Sequence, residues 1–113
     1  MNTEQLEKLD LLSTNELLEL LGTELQRNRL DAKDSDAPEV AGKKALQTYS
    51  RTFQDRICQS PTIQKFLQSE KTFKRVEIIA AIADVISGFL TGVSLATVSV
   101  LIAREGISSY CDN

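Results

Sequence analysis

Histidine and tryptophan are missing from this chain altogether, and the first absence narrows its chemistry most. Without an imidazole the protein has neither the commonest general base near neutral pH nor the commonest transition-metal ligand. Ser13, Ser60 and Ser94 have no histidine and no suitably placed lysine to make any of them a nucleophile. The expectation is a non-enzymatic chain without cofactor or metal. Aromatic residues reach only 5%, so the interior must be built from aliphatic side chains and alanine, which suits helix-on-helix packing. Strand-like alternation with hairpin turns is absent, as is any internal repeat of useful length.

Cysteine is scarce too. Cys58 and Cys111 are the only two, too far apart in sequence for a metal-type pair. In a reducing compartment they read as two thiols, one of them buried, rather than as a structural disulfide. Residues Met1 to Glu7 lack the basic start and apolar core of a secretory signal. The expected placement is therefore cytoplasmic.

What is present bounds the architecture. A length of 113 residues with 42% hydrophobic content fits one domain, residues 1–113, whose helices share a single core. Net charge is only −3 but unevenly spread. Residues 1–39 hold ten acids and four bases, residues 40–75 eight bases and two acids, and residues 76–113 four acids and one base. An acidic N-terminal region resting on a basic middle is the simplest use of that segregation; the other is to offer both faces to partners.

Helix signals recur along the chain. Thr3 can cap a first helix through Leu12. Ser13-Thr14-Asn15-Glu16 is a capping box, and Leu17, Leu18, Leu21 and Leu25 follow it at helical spacing to about Arg29. Residues 31–36 (Asp31-Ala32-Lys33-Asp34-Ser35-Asp36) form an internal loop rich in turn formers. Asp36 as cap and Pro38 in the first turn predict a helix over Pro38–Gln59, with Leu46, Tyr49, Phe53 and Ile57 facing inward. Ser60-Pro61 opens a brief helix carrying Ile63, Phe66 and Leu67. Ser69 or Thr72 caps the next, which bears Phe73, Val76, Ile79, Ala80, Ala83 and Ile86 and ends near Gly88. A last helix starts at Ser94, with Val93 and Val98 forming a hydrophobic staple. Gly106 weakens its final turns.

The stretch from Ile78 to Ala103 contains one charge, Asp84. As a single helix it would be long enough to cross a bilayer, with Gly88-x-x-x-Gly92 as a packing motif and Lys71, Lys74 and Arg75 as a basic flank. Polar residues inside the run and turn signals at its centre favour a bend at the two glycines instead. The fold class expected is thus all-α, a compact bundle of five to six helices with a C-terminal antiparallel helical hairpin.

Asp84 reads as a rim residue, solvated or paired. The cations of the middle segment, with Phe66 and Phe73 among them, could suggest a phosphate-binding surface, but both phenylalanines fall on the core stripe and the chain is acidic overall. Nucleic acid is therefore disfavoured as a partner. The function expected is a protein–protein interaction or adaptor module binding another protein or a second copy of itself. Its contact residues would be the acidic Glu16, Glu19 and Glu24 and the basic Lys43, Lys44, Arg51 and Lys65. The alternative is a membrane-associated protein with residues 78–103 inserted and a cytoplasmic helical regulatory region.

Overall fold

In the computed structural model, which describes residues 3–27, 37–68, 73–90 and 92–111, the apolar run bends. It forms two helices, α5 (Arg75–Ile86) and α6 (Gly92–Glu105), preceded by α1 (Thr3–Asp10), α2 (Thr14–Arg27), α3 (Pro38–Gln59) and α4 (Pro61–Gln68) and followed by α7 (Ile107–Cys111). The all-α class is as expected, with no strand among the described residues. There is one helix more than expected, because Gly106 takes a left-handed backbone (φ +95°) and splits the last helix in two. The loop expected over residues 31–36 lies outside the described residues.

Local chemistry explains most of the boundaries. Ser13 and Glu16 satisfy each other's backbone donors: the Ser13 N–H donates to Glu16 Oε1 at 2.9 Å and the Glu16 N–H to Ser13 Oγ at 3.1 Å. That exchange starts α2. α3 has the expected bounds, but its N-cap is Ala37 rather than Asp36, and the Ala37 side chain makes no capping hydrogen bond. α5 begins later than expected, at Arg75 after Lys74, so Phe73 precedes the helix. Here the Glu77 carboxylate accepts from the Lys74 N–H at 3.1 Å, which is half of a capping box, since an ammonium has no lone pair with which to return the bond. The expected staple does not form. α6 already starts at Gly92, so Val93 lies in its first turn and is 43% exposed while Val98 is fully buried.

The two halves of the apolar run lie antiparallel. Arg75 at the start of α5 and Arg104 near the end of α6 both reach Asp10, at 2.8 and 3.4 Å, while only five residues join the other ends. At 1.5 Å per residue, α5 and α6 are about 18 and 21 Å long, short of the roughly 30 Å of a bilayer core. No helix among the described residues is long and apolar enough to cross a membrane.

α6 is the central element. Every residue from Ser94 to Ile102 is buried, because α5, α1, α2 and α7 all pack around it. On α5, Ile78, Ile79, Ala81, Ile82, Ala83 and Ile86 are buried. Covering each large aliphatic side chain contributes about 1.5–3 kcal/mol. Inside α6, Ser99 Oγ donates to the Leu95 carbonyl at 2.8 Å, whereas Thr97 Oγ1 is buried with no hydrogen-bond partner.

α2 and α3 meet through glycine. A Cβ placed on Gly22 would stand 1.7 Å from the Pro38 carbonyl oxygen, and one on Gly42 would stand 1.9 Å from the Leu18 carbonyl oxygen. The two backbones therefore touch directly, each glycine opposite the other helix's carbonyls. No other residue fits at either position. A second tie joins the far end of α3 to α7: Cys58 and Cys111 are disulfide-bonded, correcting the expectation of two thiols. The physical reason is placement. Ile107 and Tyr110 anchor α7 in the core, the Tyr110 hydroxyl donates to the Ser50 carbonyl at 3.1 Å, and this docking brings Cys111 against the last turn of α3.

Candidate functional site

The charged residues expected to make contact stand on three helices, the acidic ones on α2 and the basic ones on α3 and α4. Glu16 and Glu19 are exposed on α2, and Glu24, one turn from the α2 C-terminal end, is half-buried and engaged in an interaction of its own. Glu16 is also a structural residue: hydrogen bonds from the Ser13 backbone and hydroxyl hold its carboxyl below the usual range. Lys43, Lys44 and Arg51 are exposed along α3, where Lys44 already has an interaction. Lys65 is exposed on α4. Arg51 borders a shallow cavity of about 430 Å³ with Ser50, Gln54, Glu105 and Tyr110. Burial raises the Tyr110 phenol above its ordinary range, more than the hydrogen bond to Ser50 lowers it.

Part of the charge segregation is resolved internally. Asp10, from the acidic region, accepts from Arg75 Nε of the basic middle at 2.9 Å. Arg104 donates to the Asp10 carbonyl at 2.9 Å and lies 3.4 Å from Thr14 Oγ1. The cluster joins the α1–α2 corner to the open end of the α5–α6 hairpin. Asp84 is exposed, as expected of a rim residue.

The opposite end of the hairpin holds the feature that residue-by-residue reading missed. A cavity of about 640 Å³ opens between α1, α2 and the α5–α6 turn, with a floor of Leu9, Leu20, Leu90, Leu95 and Ala96 and with Val93 at its edge. Gln5, Lys8 and Ser87 supply its few polar groups. Lys8 Nζ sits 3.6 Å from Glu4 Oε1 in an exposed pair. The Ser87 hydroxyl donates to the Asp84 carbonyl at 3.0 Å. The volume and apolar lining fall in the range of small-molecule and side-chain pockets. No local signal marks it, because its lining comes from α1, α2 and the turn into α6.

Beside the groove, Phe89 is 48% exposed at the hairpin tip. Its ring lies 5.2 Å from that of Phe53, with the Arg56 guanidinium 4.6 Å above it. The tip is thus held against α3 while its other side borders the groove.

Chemically, the groove can cover apolar side chains, and its polar groups can orient what enters. Among the described residues no group of three or more acids or cysteines is placed to hold a metal ion. No family model, no curated protein and no solved structure matches the chain.

Proposed function

We propose that this chain is a small non-enzymatic helical interaction module that acts by binding another protein through the groove at the closed end of its α5–α6 hairpin. The observation that carries this reading is an open apolar cavity of about 640 Å³ on a domain whose other large aliphatic side chains are mostly covered. An apolar recess of that kind, with partly exposed Val93 and Phe89 beside it, is typical of surfaces that a partner covers. The contact set expected from charge alone narrows accordingly. Glu16 and Glu24 stand one helical turn from Leu20 in the groove wall, whereas the basic residues lie on α3 and α4, away from that wall's helix.

The test is a quantitative capture comparison with the full chain and its Val93→Gln variant as baits, together with light scattering. A defined partner, or self-association, that weakens with Val93→Gln supports the reading. A chain that stays monomeric and captures the same set of proteins with either bait contradicts it.

The compartment is open to a separate measurement. A persistent disulfide belongs in an oxidising environment, and a cytoplasmic chain would carry it only transiently. Alkylating free thiols in intact cells before lysis reads the bond directly: protected Cys58 and Cys111 indicate the former, labelled ones the cytoplasmic placement.

A further inference from the structure

We infer that the groove receives an amphipathic helix whose polar face is basic, a refinement that rests on the interaction-module reading above. Two observations carry it. The first is shape: the cavity lies in the crease among three helices, and the described residues contain no strand whose edge could pair with an extended peptide. Of the ways a folded domain takes up a peptide, laying an apolar helix face into a groove is the one this surface can serve.

The second is charge. The segments that build the groove, residues 3–26 and 80–96, hold seven acids and a single base, Lys8. One of those acids, Asp10, is occupied by Arg75 and Arg104 at the far end of the hairpin, and Lys8 is paired with Glu4. Glu16, Glu19 and Asp84 are exposed. Glu16 and Glu24 each stand one helical turn from Leu20 in the groove wall, and Asp84 stands one turn from Ser87. Lys8, the charged residue of the lining itself, is paired with Glu4, and Arg56 lies over Phe89 at the hairpin tip, so a helix lying in the groove with leucines inward would set its polar flanks along α2 and α5 beside the acids Glu16, Glu24 and Asp84. Lysine or arginine there is attracted and glutamate repelled.

The experiment uses the full oxidised chain and two synthetic peptides of equal length and helicity. Both carry leucine at positions i, i+3, i+4 and i+7, one with a lysine and the other with a glutamate polar face, and binding is read by fluorescence anisotropy at two salt concentrations. The lysine peptide should bind about tenfold or more tightly than the glutamate peptide, and added salt should erode the difference. Val93→Gln should weaken the lysine peptide by several-fold, and the double variant Glu4→Lys/Asp84→Lys should remove most of the preference while circular dichroism stays unchanged. Equal affinity for the two peptides, or a preference for glutamate, overturns the charge assignment. If Val93→Gln still weakens both peptides, the interaction-module reading survives. A dimer abolished by Val93→Gln, with neither peptide bound, makes a second copy the occupant and overturns the proposal while supporting the wider reading. Binding of neither peptide without self-association overturns this proposal, and the capture comparison then decides the wider reading.

Discussion

Two pairs of glycines in this molecule do opposite things. Gly88 and Gly92 are four apart in an apolar stretch, yet a Cβ on either would meet nothing within 4 Å. Gly22 and Gly42 lie twenty residues apart on separate helices, and there the backbones themselves touch. The lesson is that a glycine's packing role is set by what stands opposite it in space, and spacing within one segment does not reveal that. The first pair serves the turn, since Gly92 adopts a left-handed backbone (φ +62°). The second serves the crossing of α2 and α3.

The largest effect should come from the crossing. Gly22→Ala or Gly42→Ala puts a methyl group within 2 Å of a main-chain oxygen, which no rotamer change relieves. Each should cost about 4 kcal/mol or more, enough to leave a domain of this size mostly unfolded. Urea denaturation followed by circular dichroism measures it. A loss under 1 kcal/mol would mean that the helices are not in backbone contact.

Next comes the covalent tie, which has no counterpart at the α2–α3 crossing. Cys58→Ser with Cys111→Ser frees α7 and opens a loop of 53 residues, for a cost of about 4 kcal/mol on the loop-entropy estimate. Thermal melts with and without reductant should reproduce the shift, and an unchanged melting temperature would argue against the bond.

The turn glycines should separate from each other. Gly92→Ala is expected to cost about 1–2 kcal/mol for the strained backbone, whereas Gly88→Ala, with open space around it and no left-handed backbone, should stay within about 0.5 kcal/mol of the parent. Equal costs would place the reversal elsewhere. A small gain is expected inside α6, where Thr97→Val replaces an unpartnered buried hydroxyl with a methyl group of similar shape. Removing that desolvated group should stabilise the fold by about 1 kcal/mol. A loss of similar size would show that the hydroxyl has a hydrogen-bond partner.

The features legible in the sequence were those whose cause is local. Ser13 and Glu16 announce the start of α2 because both halves of their exchange lie within four residues. Pro38 and Ser60-Pro61 fix the ends of α3 for the same reason. The bend of the apolar run was readable from polar and glycine residues near its centre. What escaped was non-local. Gly22 and Gly42 sit inside helical runs where each costs about 1 kcal/mol relative to alanine, a cost that only a close neighbour explains. The pairing of Cys58 with Cys111 depends on the docking of α7, which the break at Gly106 sets off from α6. The groove depends on how α1 and α2 lie against the hairpin tip, and no single helix carries its pattern.

Most apolar residues of the hairpin are covered by the protein's own helices, and the groove at its closed end is the surface proposed for a partner. Backbone amide NMR of the full chain, titrated with the lysine-faced peptide, decides whether that groove is the binding surface. Shifts concentrated on Leu9, Leu20, Leu90, Val93 and Ala96, with Lys43, Arg51 and Lys65 unmoved, are the predicted result. Shifts centred on α3 and α4, or scattered through the core of α6, would contradict it.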